Sequence, residues 1–590
     1  MSRPVVCTSR SPREFWPRWL DRRARVVLLG TTLCLVAGCQ SSTTATAPQL
    51  AVTVRVPTGA DNPLADADAR FIAAIAEYPG AGTKLSTVQP YVPGLQLKVP
   101  AVPFGASRQI AVEVYSGSES PQSRIARGAS VPIDVTGSTP APALHPYVTR
   151  INSFAPVFGE PDTGGQAHKM VLAAPHVATS MVALPNGKVL MTGGAVPKPS
   201  AKDPYDPASY STFQSTVALY DPDLRSLVVA KASSGQLTTP RAFHSVAVGN
   251  SVVAIVGGVE LDEFGKPRSS NKIEFYNMET GKVTIPTQTE PTMHFGRVAP
   301  TVIQMFEEQD YFLILGGKGN EDCPVIPHDG LCGGNTWEIW HPSGGFKAMG
   351  QLGTARWHHA GVRVPGPDSG GFVMLIGGEN TQGAVKTMEV VQFGSYSGSV
   401  LVSDSLTNCP ADCPAKPAGF LWNPVFYTDL PVRIWPAALY VANVAMSYYH
   451  VYMIGGFGDL AHTIANKSVD VFDIMMTHVI ANLQMTAGRA APIVAAVTSG
   501  PSSGQVLIAG GSSTETTHWS SGEFLRVASD GSGGVTINIA PVANAMGDGE
   551  RALGAAVGLS TGHVLLLGGT GGNATSLSPR TDASLWNPYY

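Results

Sequence analysis

The strongest constraint on the fold is a pair of adjacent glycines that recurs seven times, each time at the end of a short apolar run. The intervals between successive pairs are 64, 59, 61, 78, 55 and 58 residues. The pairs are Gly193-Gly194, Gly257-Gly258, Gly316-Gly317, Gly377-Gly378, Gly455-Gly456, Gly510-Gly511 and Gly568-Gly569. A period of this size indicates a repeat architecture, in which each unit buries its surface against its neighbours.

Each unit carries the sequence signals of four β-strands. An apolar run ending in Gly-Gly predicts a buried strand followed by a turn that needs positive φ or close backbone approach. A β-like stretch precedes that run across a tight turn such as Pro185-Asn186-Gly187, and Asn-Gly is a strong hairpin signal. After the glycines come a loop, a strand with an aromatic residue such as Tyr220 or Trp586, and a short fourth strand. Seven such antiparallel sheets arranged radially would leave only short edges exposed.

The double glycine, the basic or small residue that opens the first strand and the aromatic residue of the third strand resemble the kelch repeat. The resemblance covers Gln166 to Tyr590. It implies an all-β fold with a seven-bladed kelch-type β-propeller, similar to the galactose oxidase-like superfamily. The last unit ends after its third strand, Ala583–Pro588. Because folded proteins avoid open sheet edges, we expect Gln166–Ala173 to supply the missing fourth strand and close the ring.

The chain is long enough for more than one domain. Only 14% of its 590 residues are charged and 64 are glycine, which suits a turn-dense all-β extracellular protein. Alternating runs between residues 50 and 147 predict a small, Ig-like β-sandwich, although Asp66–Tyr78 fits either a helical turn or a strand. We expect this domain to act as a spacer, residues 148–165 to form a linker, and residues 166–590 to form the propeller.

Residues 1–38 have the features of a bacterial lipoprotein signal peptide. Seven arginines accompany a 13-residue apolar run that starts at Val26, which is too short to span a membrane. The ending Leu35-Val36-Ala37-Gly38-Cys39 resembles a lipobox, which implies a diacylated Cys39 followed by a flexible tether over 39–49. An uncleaved anchor or an ordinary signal peptide is the alternative. Gln40 favours the outer membrane, so we expect an extracytoplasmic, lipid-anchored protein.

The charge and the cysteines limit the partners further. Without the signal peptide, 32 Lys and Arg face 41 Asp and Glu, a net charge of −9, which argues against a nucleic-acid partner. Four cysteines follow Cys39 in two close pairs, Cys323/Cys332 and Cys409/Cys413. In an oxidising compartment they are expected to form two local disulfides. A metal site is the alternative, but no His-rich segment accompanies them.

The candidate ligand site is a set of cations that open the inner strands, each 16 to 22 residues before its glycine pair. They are His176, Arg241, Arg297, Arg356, Arg433, Arg489 and Arg551. Aromatic neighbours include Phe243, Phe295, Trp357 and Trp435. A ring of donors beside flat apolar surfaces could bind a carboxylate-bearing sugar or an acidic peptide. In the alternative interpretation, the cations only bond backbone carbonyls between blades.

Three functions fit this chain. The first is a surface-anchored protein that binds a protein or glycan ligand on one loop face, without a cofactor or metal. The second is a carbohydrate-active enzyme, oxidase-like or epimerase-like, that uses the same face. Galactose oxidase holds copper with Tyr and His and has a Tyr–Cys crosslink, for which the paired cysteines leave no thiol. The third is a structural component of the envelope.

Overall fold

The computed structural model describes most of the chain after residue 49. The described residues are 50–78, 85–136, 143–230, 235–286, 291–307, 309–320, 331–366, 371–393, 425–427, 430–443, 448–474, 478–529, 535–547, 549–572 and 576–588. The signal peptide, the tether and the cysteines Cys39, Cys323, Cys409 and Cys413 lie outside them. The predicted lipid attachment and both predicted disulfides therefore stay predictions.

The N-terminal region forms one antiparallel sheet of six strands. The strands are Phe71–Glu77, Leu85–Pro90, Gly105–Tyr115, Arg124–Ala129, Ile133–Val135 and Thr149–Arg150, with short 3-10 turns at Gly59–Asp61, Pro63–Ala65 and Pro121–Ser123. Apolar residues of the extended segments 50–56 and 91–99 pack on the core of this sheet. The ambiguous stretch Asp66–Tyr78 therefore contains a strand. The two-sheet sandwich is not confirmed, because the described residues of this region form a single sheet.

The rest of the described chain contains seven four-stranded antiparallel sheets, numbered here in chain order. Their strands, in order of pairing, are as follows: sheet 1, Ser180–Ala183, Val189–Thr192, Val217–Asp221 and Ser226–Val229; sheet 2, Ser245–Val248, Val252–Val256, Ile273–Asn277 and Val283–Thr284; sheet 3, Thr301–Phe306, Gln309–Leu315, Thr336–His341 and Gly345–Gln351; sheet 4, Ala360–Pro365, Gly371–Ile376, Met388–Phe393 and Val425–Tyr427. Those of the last three are as follows: sheet 5, Ala437–Asn443, Tyr448–Ile454, Ser468–Asp473 and His478–Gln484; sheet 6, Ile493–Ala496, Val506–Ala509, Gly522–Ser529 and Val535–Pro541; sheet 7, Ala555–Gly558, Val564–Leu567, Ala583–Asn587 and Ser153–Pro156.

Short hairpins and turns connect the second and third strands of several sheets. The hairpin strands are Ala195–Pro197 with Tyr210–Phe213, Val259–Leu261 with Pro267–Ser269, Glu379–Asn380 with Gly383–Ala384, Ser512–Thr514 with Thr517–His518, and Thr570–Gly572 with Leu577–Pro579. Two 3-10 turns, Pro207–Ser209 and Gly333–Asn335, lie in the same connections. These connections are the loops that follow the glycine pairs, so they build one face of the molecule.

The sheets form a closed cycle. The first strand of each sheet contacts the first strand of the next, and the first strand of sheet 7 contacts that of sheet 1. This all-β arrangement is consistent with a β-propeller. The apolar runs before the glycine pairs are the second strands, and they are almost completely buried, as their lack of alternation predicts.

The glycine pairs hold neighbouring sheets together. The second glycine of each pair donates its N–H to the carbonyl oxygen of the cation that precedes the next sheet, over 2.7 to 3.2 Å, as in Gly258 N to Arg297 O. Gly569 N donates to His176 O, which closes the cycle. The first glycines have φ between 56 and 65°, and a Cβ at Gly455 would overlap the Arg489 carbonyl oxygen. A side chain at these positions is therefore excluded both by conformation and by space.

The strand that completes sheet 7 is not the predicted one. Ser153–Pro156 pairs with Ala583–Asn587, whereas Gln166–Ala173 is not a strand of any sheet and makes two isolated bridges, from Val171 to Asp582 and from Lys169 to Phe158. The predicted linker 148–165 thus contains the closing strand. The physical reason is burial on both faces. Phe154 packs with Trp586 in the core between sheets 6 and 7 and the adjacent Ala155 is buried as well, whereas in Gln166–Ala173 the buried Met170 and Leu172 flank Val171, which is 58% exposed.

We expect Phe154→Ala to lower the free energy of unfolding of the ring by about 3–5 kcal/mol, the usual loss for removing a buried aromatic ring. The matched control is Val171→Ala in the segment first expected to close the ring, which should stay within about 0.5 kcal/mol of the wild type because the side chain is exposed. Urea unfolding followed by tryptophan fluorescence measures both. A larger loss for Val171→Ala would contradict this assignment.

Candidate functional site

The six arginines predicted to bind a ligand are buried in the protein interior, with exposed fractions of 0 or 1%, and each contacts its own sheet. Each guanidinium donates to the carbonyl oxygen of the first glycine in its sheet. Each also pairs with a carboxylate on or next to the third strand. The pairs are Arg241–Glu274, Arg297–Glu338, Arg356–Glu389, Arg433–Asp470, Arg489–Glu523 and Arg551–Asp582.

Arg297 shows the arrangement in detail. Its Nη1 donates to Gly316 O and to Thr336 O, both at 3.0 Å, and its Nη2 donates to Glu338 Oε1 at 2.9 Å. In sheet 1 the equivalent residue is His176, whose Nδ1 lies 2.7 Å from Gly193 O. Burial lowers the pKa of this imidazole. His176 therefore bonds the same carbonyl as the arginines do, without their ion pair.

The expectation that these cations bind a ligand directly is corrected by their positions. A ligand would have to enter the interior of a sheet and separate a guanidinium from its carboxylate, which leaves a buried charge unpaired. The alternative interpretation was closer, since the cations do bond backbone carbonyls. Those carbonyls, however, belong to the same sheet rather than to a neighbouring one.

The ion pairs differ in how well attraction offsets burial. Burial disfavours the charged form of Glu338, but Arg297 and the surrounding hydrogen bonds hold its pKa down at about 2. Burial raises the pKa of Glu389, which Arg356 offsets only in part. Burial also lowers the pKa of Arg241 to about 10. At neutral pH, Glu338 is therefore the clear case of a carboxylate that the folded state stabilises.

A second ring, formed by backbone, lies at the mouth of the cycle of sheets. The residue two positions after each cation has a positive φ, between 42 and 55°. These residues are Ala178, Phe243, Ala299, His358, Trp435, Ala491 and Leu553. Five of the links between them are hydrogen bonds from one N–H to the preceding carbonyl, as in Phe243 N to Ala178 O and Ala491 N to Trp435 O. Positive φ is uncommon for residues with side chains, so this ring fixes where its side chains stand.

Three of these side chains are rings that line a cavity of about 150 Å³ on the loop face, namely Phe243, His358 and Trp435. His358 stacks on Trp435 with centroids 4.2 Å apart, and Phe243 lies 6.3 Å from Trp435. Tyr205, from the hairpin of sheet 1, is also part of the wall. Aromatic rings therefore form one part of the wall, beside apolar and polar residues such as Val259, Val298 and Asn320.

Charged groups stand at the same cavity. His358 Nδ1 is 2.7 Å from Glu379 Oε1. Burial lowers the pKa of His358, while the bond to His358 holds the pKa of Glu379 down against its own burial. Lys318 is exposed on the wall, whereas Arg268 is paired with the buried Glu260 at 2.7 Å. The site thus combines aromatic faces, an accessible ammonium group and a histidine–carboxylate pair.

The predicted site residues divide into two groups. Of those named from the sequence, Trp435 and its neighbour Phe243 reach the cavity. Trp357 instead pairs its backbone with that of Glu379 and packs on Cys332 and Ala355. His358, Glu379, Lys318 and Tyr205 were missed. The only signal for them was position, two residues after a cation or in the loop after a glycine pair.

A larger cavity of about 200 Å³ lies elsewhere, beside the closing strand. Its wall includes Asp61, Arg150, Phe154 and Asn544. Arg150 is paired with Asp66, and Asn544 bonds both the N–H and the carbonyl of Phe154. The polar groups of this cavity thus hold the closing strand and the N-terminal sheet in place, and none of the predicted ligand residues reaches it.

Metal and membrane features were sought in the described part of the chain. Within it, no group of three or more His, Cys, Asp or Glu side chains has a geometry that could hold a metal ion. In the same residues, no helix is long and apolar enough to cross a bilayer.

The sequence matches no family model and no curated protein. Solved structures of similar shape include the following two. The first is described as the structure of YjhT, with 12% identity and a TM-score of 0.40, over 62% of this chain and 99% of that one. The second is a novel fungal alcohol oxidase of the AA5 family in complex with copper, with 12% identity and a TM-score of 0.42, over 71% of this chain and 75% of that one. At these scores, neither likeness bears on the chemistry of the cavity.

We expect Glu338→Gln to destabilise the protein by about 3–5 kcal/mol at neutral pH, because it leaves the guanidinium of Arg297 buried without its counter-ion. The folded pKa of about 2 lies below the ordinary value of 4.5. The stabilisation is thus complete above pH 4.5 and is lost as the pH falls toward 2. The difference between variant and wild type should shrink over that range.

Urea unfolding at pH 7 and at pH 3 measures this difference. Glu279→Gln, in an exposed turn of sheet 2, is the control and should change stability by less than about 0.5 kcal/mol. A loss for Glu338→Gln that is the same at both pH values would contradict the assignment of a charged Glu338.

Proposed function

We propose that this protein is an extracytoplasmic lipoprotein whose seven-bladed, kelch-type propeller binds a protein or glycan ligand on its loop face. The observation that carries the proposal is the aromatic cavity at the mouth of the ring, with the exposed Lys318 on its wall. Concave, largely apolar sites with a few polar groups are the usual form of ligand pockets.

The chemistry of the cavity supports an anionic ligand. Flat aromatic faces such as that of Trp435 pack against sugar rings or apolar side chains. An ammonium group then adds a charge-assisted bond to a carboxylate. Because the six arginines are engaged inside the sheets, Lys318 is the cation best placed to make this bond. A carboxylate-bearing sugar or an acidic peptide fits this combination.

A carbohydrate-active enzyme is the second candidate, and one observation favours it. His358 and Glu379 form a hydrogen-bonded pair of 2.7 Å beside the same cavity. A carboxylate that orients an imidazole is a common arrangement for general acid–base catalysis. Turnover of a bound sugar would support this function.

Anchoring through Cys39 is the remaining part of the proposal. The N-terminal sheet would follow the tether, and several of its residues bond the ring directly. Asn587 Nδ2 donates to Arg127 O and Thr149 O at 2.8 Å each, and Gln109 donates to Ser560 O at 2.8 Å. Such contacts support a rigid spacer that fixes the orientation of the propeller relative to the membrane.

We expect Lys318→Gln to weaken capture of carboxylated glycans or acidic peptides by about tenfold or more, the range of one charge-assisted bond. Binding is measured on glycan and peptide arrays with the full mature chain, and incubation of the bound glycans with the protein tests for turnover. The matched control is Lys282→Gln, an exposed lysine in the turn between the third and fourth strands of sheet 2. Equal capture by both variants and the wild type would refute a role for Lys318.

We expect Cys39→Ser to abolish acyl labelling and to release the protein from the membrane fraction. Labelling with an alkyne fatty acid followed by fractionation measures both effects. Cys34→Ser, in the apolar run of the signal peptide, is the control and should leave labelling intact. Continued labelling of Cys39→Ser would rule out this attachment site.

A further inference from the structure

The first strands of the seven sheets enclose a central channel, because each contacts the first strand of the next sheet around the closed cycle. The residues five and seven positions after each cation line this channel, since nearly all of them are partly exposed although their strands are innermost. At the first of these positions stand Met181, Val246, Val302, Gly361, Ala438, Val494 and Ala556. At the second stand Ala183, Val248, Gln304, Arg363, Tyr440, Ala496 and Gly558. Arg363 is the one charged residue in either set.

The guanidinium of Arg363 has a whole edge without a partner. Its Nε and Nη2 are both buried, and in the described structure neither has a hydrogen-bond acceptor. Some of the six repeat arginines also leave Nε unpaired, but the Nη2 of each of them donates to a carboxylate. Because buried donors are normally paired, the edge of Arg363 indicates an acceptor that a ligand supplies.

This edge has the geometry that a carboxylate needs. The N–H of Nε and one N–H of Nη2 point in the same direction, and such a fork matches the two oxygens of a carboxylate. Glu307 Oε1 lies 3.9 Å from Nη2, beyond hydrogen-bond reach, and the glutamate side chain is 60% exposed. Glu307 belongs to the turn after the first strand of sheet 3, so the edge faces the end of the channel opposite the loop face.

The surroundings of Arg363 favour a singly charged ligand. Gln304 and Tyr440 hold the same position on the first strands of the two adjacent sheets, and Tyr440 packs against sheet 4. They offer an amide and a hydroxyl group but no second positive charge. A doubly charged phosphate would therefore be repelled by Glu307 without a further cation to hold it. One carboxylate is the anion that a single guanidinium can balance.

We propose that Arg363 anchors a carboxylate-binding site at the end of the central channel opposite the loop face. The ligand carboxylate accepts hydrogen bonds from Nε and Nη2 and takes the place that Glu307 approaches loosely. This site is separate from the aromatic cavity and goes beyond the proposed function. The N-terminal sheet bonds the ring at Ser560 and Asn587 of sheet 7, across the ring from sheets 3 and 4, so those bonds do not stand between Arg363 and solvent.

The test is the binding of acetate to the full mature chain, measured by titration with saturation-transfer difference NMR. We expect Arg363→Gln to weaken acetate binding by about tenfold or more, the range of hydrogen bonds to a charged group. Arg363→Lys keeps the charge but loses the fork, so its affinity should be intermediate. The matched control is Arg70→Gln, an exposed arginine of the N-terminal region, which should bind acetate as the wild type does.

Glu307→Gln tests the same site in the opposite direction. It removes the negative charge beside the edge, so acetate should bind more tightly, by up to about fivefold, the range of one exposed ion pair. Melting temperatures without acetate check the folding of each variant. Because no hydrogen bond of the described fold uses the edge of Arg363, Arg363→Gln should melt close to the wild type. If it does not fold, Arg363→Lys and Glu307→Gln decide the matter.

Two further probes identify the source of the carboxylate. Tri-alanine with a free C-terminus is compared with its C-terminal amide. Tighter binding than acetate, lost in the amide, would support the site and assign it to the end of a polypeptide. Equal or weaker binding of tri-alanine would support the site and assign it to a free small carboxylate. Inorganic phosphate should bind more weakly than acetate, and Lys318→Gln should leave acetate binding unchanged.

Three results would overturn this inference. The first is equal acetate binding by the wild type and Arg363→Gln, or binding of neither acetate nor tri-alanine. The second is loss of acetate binding in Lys318→Gln but not in Arg363→Gln, which would place the anion in the aromatic cavity. The third is tighter binding of phosphate than of acetate, which would contradict the class of ligand.

Discussion

The cycle of sheets depends on one backbone carbonyl per repeat, that of the cation before the first strand. It accepts the N–H of the second glycine from the preceding sheet, while the side chain of the same residue bonds the glycine carbonyl of its own sheet. Arg297 is thus bonded to Gly258 through its carbonyl and to Gly316 through its guanidinium. A single residue connects adjacent sheets, and its buried ion pair with Glu338 fixes the side chain that does so.

This joint also determines which side chains stand at the mouth of the ring. The arginines supply the positive charge of the repeat, but their guanidinium groups are buried in ion pairs and contribute none of it to the surface. Their backbone, however, leads after two residues into the positive-φ ring, which turns the side chains of Phe243, His358 and Trp435 toward the mouth. The invariant part of the repeat builds the frame, and the residues that vary at this ring give the mouth its chemistry.

Sequence reasoning reached the repeat but not the site, for a physical reason. Gly-Gly and apolar runs depend on local backbone and burial, so the strands of the seven sheets could be placed from them. Whether Arg356 faces solvent or Glu389 depends on a partner 33 residues away, which no local pattern reveals. The hydrogen bond between Tyr205 and Ser512 is even harder to predict from the sequence, because 307 residues separate the two.

The closing strand illustrates the same limit. Gln166–Ala173 was expected to close the ring because it directly precedes sheet 1, yet the burial of Phe154 selects an earlier segment. Proximity in sequence to sheet 1 was a poor guide. The fourth strand of sheet 7 comes from the chain that precedes sheet 1, and any extended segment of that chain could have supplied it.

The pairing of Ser153–Pro156 with Ala583–Asn587 affects the order in which the protein folds. Thr149 and Asn587 are bonded across 438 residues, so the ring stays open until Ala583–Asn587 has been synthesised. Contacts this distant in sequence form slowly. Until the ring closes, the edges of the seventh sheet stay unpaired, and during this interval the chain is most exposed to proteases and to aggregation. The N-terminal sheet is synthesised first, and its last strand, Thr149–Arg150, directly precedes Ser153–Pro156. Ser153–Pro156 is therefore already positioned when Ala583–Asn587 pairs with it.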